Sequence, residues 1–181
     1  MEPEVCQAAL SALERAIGIE AEGRRFYSQA LALTSDEGAQ RVFKALIADE
    51  ELHERVLKAE YEAIANEGEW MLLDEAKTCE PPSGTEFIFP AGNDAVAALL
   101  RLTDGATDED VLGIAMEFEQ RGYDLYKKAA QETDDPKGKE VYEWLAEDEN
   151  SHYLFLSKTQ EYLITKGAWY FDEIERPMFE G

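Results

Sequence analysis

The chain carries a long internal repeat built from ionisable residues. Glu20, Gly23, Tyr27, Glu50 and His53 recur 99 positions later as Glu119, Gly122, Tyr126, Glu149 and His152. Asp49 and Asp148 keep the same offset. So do the apolar pairs Phe43 and Tyr142, Leu46 and Leu145, Leu57 and Leu156, and Ile64 and Leu163. The chain has only two histidines in 181 residues, and both lie in the same Glu-x-x-His setting. One such match is weak evidence in a Glu-rich chain. Two in one frame, each at the same distance from an upstream Glu, make coincidence a poor explanation. The repeat points to one duplicated domain over residues 1–181, with halves at about 4–66 and 106–165, a crossover at about 67–105 and a tail at 166–181.

Periodicity predicts four long helices. Leu10, Leu13, Ile17, Glu20, Tyr27 and Leu31 share one stripe of the first, and Phe43, Leu46, Glu50, His53, Leu57 and Ile64 share one of the second. Leu112, Met116, Glu119, Tyr126 and Ala130 mark the third, and Tyr142, Leu145, Glu149, His152, Leu156 and Leu163 the fourth. Ser35-Asp36 and Asp134-Asp135-Pro136 supply N-caps for the second and fourth, and Thr107-Asp-Glu-Asp opens the third with acids that suit the helix dipole. Short connections make each half an antiparallel hairpin. The long crossover, with a possible short helix at Asn93 to Leu102, joins the hairpins into an all-α four-helix bundle. The aromatic tail (Trp169, Tyr170, Phe171, Phe179) is expected to pack on the bundle or on a second subunit.

A formal charge of −23 argues against nucleic acid as a partner, since phosphates demand Lys and Arg. Cys6 and Cys79 stand alone with no C-x-x-C pair, which excludes a rubredoxin or zinc-ribbon module within the chain and favours a reducing compartment. The acidic N-terminus lacks the layout of a signal peptide, and no apolar run approaches the ~20 residues of a membrane span. A soluble cytoplasmic protein is the expectation.

Glutamates and histidines inside apolar stripes need an explanation. A carboxylate in a bundle core loses several kcal/mol of hydration unless it is paired or binds a metal. Four carboxylates converging with two imidazoles repel one another in a dry space, and two divalent cations would balance them. Glu at i and His at i+3 lie on one helix face, so both can reach one site. One Glu from each of two helices plus Glu-x-x-His from each of the others is the ligand set of di-iron and di-manganese bundles. Carboxylate oxygens with one nitrogen per metal suit iron or manganese better than structural zinc. Tyr27 and Tyr126 sit seven residues past Glu20 and Glu119, two turns along the same face. Core packing accounts for a Tyr there, but a buried hydroxyl needs a partner, and a ligating carboxylate is one. Asp49 and Asp148, four residues before His53 and His152, could orient a ring N–H or simply face solvent. Gly23 and Gly122 each cost their helix about 1 kcal/mol relative to Ala, which close helix approach would explain.

The stretches Ile19-Glu-Ala-Glu-Gly-Arg-Arg-Phe-Tyr27, Asp49-Glu-Glu-Leu-His53, Phe118-Glu-Gln-Arg-Gly-Tyr-Asp-Leu-Tyr126 and Asp148-Glu-Asn-Ser-His152 together resemble the ferritin-like superfamily. Within it they resemble the rubrerythrin-type di-iron domain family without the rubredoxin module. The resemblance implies two iron ions, with manganese or zinc as other occupants. It places Glu20, Glu50 and His53 around one metal and Glu119, Glu149 and His152 around the other, with Glu50 and Glu149 as bridges. It further implies reaction with hydrogen peroxide or dioxygen, either peroxide reduction or ferroxidase activity. An external electron donor such as a rubredoxin or a reductase, and a homodimer, are part of the same expectation. Rubrerythrins proper carry an extra Glu three residues before the third-helix ligand, where this chain has Met116. Two other readings stay open: an iron-storage protein, which would need many copies to form a shell, and a metal-stabilised helical interaction protein without turnover.

Overall fold

A computed structural model of the chain describes residues 3–79 and 107–167. Helix α1 (Pro3–Leu33) and helix α2 (Glu37–Glu67) form the first hairpin; helices α4 (Asp108–Glu132) and α5 (Pro136–Lys166) form the second. The short helix α3 (Leu73–Thr78) follows α2 and packs against α2 and α5. The sequence reading missed α3 and left residues 67–105 as crossover. The expected helix at 93–102 and the aromatic tail lie outside the described residues. The fold is an all-α, ferritin-like four-helix bundle, and the repeat governs it closely: α5 has the bounds of α2 displaced by the repeat offset.

Local chemistry sets the helix ends. Asp36 caps α2 by accepting from Ala39 N at 3.0 Å, and Asp135 caps α5 by accepting from Lys137 N at 3.0 Å, with Pro136 fitting the first turn. Thr107 and Asp110 form a reciprocal capping box at the start of α4, with Asp in the place usually taken by Glu or Gln. Both α2 and α5 stop at a glycine in the left-handed region, Gly68 (φ 74°) and Gly167 (φ 67°), where a Cβ would be strained.

The core divides in two. One apolar cluster joins the end of α1 and the start of α2 to the start of α4 and the end of α5, through Tyr27, Phe43, Leu46, Leu112, Phe118 and Leu156. The other uses the opposite ends, through Leu13, Ile17, Leu57, Tyr126, Tyr142 and Leu145. The repeat exchanges the two clusters, Leu46 for Leu145 and Leu112 for Leu13. The six leucines at 13, 46, 57, 112, 145 and 156 are fully buried, each contributing roughly 2 kcal/mol by transfer from water. Glu20, Glu50, His53, Glu119, Glu149 and His152 are all buried as well, a polar site between the two apolar clusters. Among the described residues no helix is long and apolar enough to cross a membrane.

Candidate metal centre

Each long helix delivers its share of the site. Helix α1 brings Glu20, α2 brings Glu50 and His53, α4 brings Glu119, and α5 brings Glu149 and His152. One atom from each of Glu20, Glu50, His53 and Glu149 falls within 4.8 Å of the others, as does one from each of Glu50, Glu119 and His152. All six predicted residues are therefore brought together, with Glu50 common to both groups. His53 turns its Nδ1 inward, 3.3 Å from Glu20 Oε2 and 3.4 Å from Glu149 Oε1; His152 Nδ1 lies 3.3 Å from Glu119 Oε2. The imidazole planes are 28° apart with centroids at 5.8 Å.

The surrounding contacts cross between the halves. His53 Nε2 donates to Asp148 Oδ2 at 2.7 Å, and His152 Nε2 donates to Asp49 Oδ2 at 3.3 Å. Both aspartates thus orient a ring, but the ring belongs to the opposite half, whereas sequence proximity had paired each with its own histidine. The tyrosines cross in the same way: Tyr27 donates to Glu119, and Tyr126 donates to Glu20. Facing helices bring these groups together, so offset along one helix could not reveal the partner.

The glycines need a different account from the expected close helix approach. A Cβ at Gly23 would sit 3.0 Å from Glu50 Oε1, and one at Gly122 would sit 2.9 Å from Glu149 Oε2. The missing side chains leave room for the two central carboxylates. Gly23→Ala and Gly122→Ala are accordingly expected to hold or raise the melting temperature of the metal-free protein, since Ala favours the helix by about 1 kcal/mol. The same substitutions should weaken metal binding at least about tenfold by displacing a carboxylate. Thermal melts paired with metal titrations check this; unchanged metal affinity would contradict it.

Electrostatics in the metal-free site follow from burial and crowding. Burial pushes the Glu50 carboxyl well above the carboxylate range, and the Glu20, Glu149 and Glu119 charges add to it; burial and the charges of Glu119 and Glu20 do the same to Glu149. Burial also works to raise Glu20, but hydrogen bonds with Glu50, His53 and Tyr126 and the His53 charge hold it below its usual value. Glu119 is lowered likewise, its burial outweighed by the charge of His152 and hydrogen bonds with His152, Glu149 and Tyr27. Burial disfavours charge on both histidines. Hydrogen bonds with Asp148 and Glu20 nonetheless lift His53 well above normal, and the Glu119 charge with the Asp49 hydrogen bond lifts His152. Charge is thus favoured on the two histidines, Glu20 and Glu119, and disfavoured on Glu50 and Glu149. Two divalent cations would balance four carboxylates held with two neutral imidazoles, so the donor set fits a metal pair and binding exchanges protons for metal.

Met116 packs against the apolar cluster that holds Tyr27 and Phe118, and its counterpart Ile17 is buried in the other cluster. Trp144, which the sequence reading passed over, stands edge-on to His53 with centroids at 5.2 Å, under Lys77 Nζ at 4.4 Å.

Fold and site together define a ferritin-like helical bundle with a buried glutamate–histidine centre. The family model described as Rubrerythrin matches residues 11–160, and the chain belongs to the rubrerythrin family. No curated protein and no solved structure matches the chain.

Proposed function

We propose that the protein is a non-haem di-iron carboxylate enzyme that reduces hydrogen peroxide or dioxygen. The observation that carries the reading is the buried set of four glutamates and two inward Nδ1 atoms, with Glu50 in both candidate groups. A pair of ferrous ions held there supplies two electrons at one place, the number needed with two protons to convert one hydrogen peroxide to two waters. Glu20 with His53 and Glu119 with His152 would hold one ion each, with Glu50 available to both and Glu149 beside Glu20 and His53. Asp148 and Asp49 keep each imidazole turned so that Nδ1 faces inward. Tyr126 and Tyr27 fix the orientation of Glu20 and Glu119 by donating to them. The leucine and aromatic layers on both sides exclude water.

With Met116 at the position of the extra glutamate, both halves offer the same ligand set, so both irons are expected to be oxidised together. Repeated turnover draws on an external donor such as a rubredoxin or a reductase. The reading also includes a cytoplasmic homodimer. Iron-loaded, reduced protein mixed anaerobically with peroxide tests it. Consumption of about one peroxide per iron pair, repeated when a chemical reductant is added, is the expected result. Rapid oxidation by dioxygen with little reaction toward peroxide would make it a ferroxidase, and no reaction with either oxidant would overturn the proposal.

A further inference from the structure

The repeat is broken at a few buried positions, and two of the breaks adjoin each other. Position 43 is Phe in the first half, while its counterpart 142 is Tyr. Both rings stack on the tyrosine beside the candidate centre: Phe43 on Tyr27 with centroids at 6.2 Å, Tyr142 on Tyr126 at 6.3 Å. Beyond Tyr142 the contact continues to Trp70, whose ring meets it edge-on at 5.5 Å. Trp70 lies against α5 where Gly138 leaves space, since a Cβ there would be 2.5 Å from Trp70 Cε2. The first half has Ala39 at the matching position. Trp70 is almost fully buried, yet it lines two surface clefts of about 390 and 950 Å³. On this side of the bundle, three oxidisable rings therefore run from a glutamate of the centre to the walls of surface clefts. On the other side the second ring is a phenylalanine, which is far harder to oxidise.

We propose that Tyr126, Tyr142 and Trp70 form a one-sided electron relay between the candidate metal centre and the surface. When peroxide or dioxygen at the centre takes more electrons than the metals hold, Tyr126 gives up one electron and its phenolic proton moves along the hydrogen bond to Glu20. Trp70 then returns an electron across Tyr142, the proton goes back to Tyr126, and the oxidised Trp70 is re-reduced by the external donor. The net change is one electron delivered from donor to centre, with no proton gained or lost by the relay. Tyr142 serves as a bridge that keeps its proton, because among the described residues its buried hydroxyl has no hydrogen-bond partner. Trp144 is the competing ring, touching His53 directly, but the Lys77 ammonium over its face opposes formation of a tryptophan cation. The use of the relay rests on the proposed reactivity of the centre; its conduction does not.

The test therefore starts from metal-free protein. In a Trp144→Phe, Trp169→Phe background Trp70 is the sole tryptophan, and a flash-generated ruthenium(III) trisbipyridine oxidises it. This drives the relay in reverse through the same ring contacts, and transient absorption should show the tryptophan radical decaying as a tyrosyl radical appears. Tyr142→Phe, which copies the natural Phe43, should slow that transfer at least tenfold, and Tyr126→Phe should abolish the fast tyrosyl product. Equal rates in Tyr142→Phe, or a fast tyrosyl radical surviving in Tyr126→Phe, would overturn the relay. Circular dichroism melts of each variant confirm that it is folded. Iron-loaded protein that fails to consume peroxide would remove the proposed function while leaving the conduction result standing.

Discussion

Metal-free protein is expected to lose stability as the pH rises above 4.5, because the unfolded chain releases protons that the folded site keeps. Glu50 and Glu149 hold protons in the folded state at pH values where the unfolded chain, titrating near 4.5, has released them. His53 and His152 do the same above 6.5. The folded state thus binds more protons than the unfolded one, and each extra proton lowers unfolding free energy by about 1.4 kcal/mol per pH unit. Glu20 and Glu119 act in the opposite sense: their lowered values stabilise the fold above 4.5, and that contribution is lost as the pH falls through them. Repulsion within a chain of charge −23 also grows with pH, so the diagnostic comparison is with a Glu50→Gln, Glu149→Gln variant. Denaturant titrations across this range should give the variant a shallower slope than the parent's. At pH 8 its metal-free stability should equal or exceed the parent's. Identical slopes would contradict protonation of the two central carboxyls.

Glu50→Gln alone is expected to weaken binding of both metal ions by more than about 100-fold, because it keeps the side chain's shape while removing a charge shared by both groups. Glu119→Gln, whose carboxylate belongs to one group only, should weaken one ion much more than the other. Competition titrations with a chromophoric chelator resolve the two steps. If Glu50→Gln weakens a single ion, the carboxylate does not bridge and the two halves bind independently.

These effects follow from residues that were legible in the sequence. The repeat exposed Glu20, Glu50, His53, Glu119, Glu149 and His152 because each combines a ligand chemistry with an apolar helical stripe, and both properties are local. Caps at Asp36, Thr107 and Asp135 were legible for the same reason. Interhelical detail was not. That Asp148 serves His53 and Tyr126 serves Glu20 depends on which faces of two helices meet, and no spacing along one helix encodes it. Gly23 read as a point of helix contact because glycine usually marks close backbones; its neighbour proved to be a carboxylate. Helix α3 escaped notice because six residues are too few for a periodic stripe, and Trp70 because its role depends on the bare backbone of Gly138.

Anaerobic loading of chelator-treated protein with ferrous iron, in weak buffer with a pH indicator, tests the central claim most directly. Binding should saturate at two irons per chain. It should release protons from the groups whose proton affinity the metal-free site raises, His53, His152, Glu50 and Glu149. Saturation below one iron per chain, or iron binding without proton release, would contradict a metal centre built from these four glutamates and two histidines.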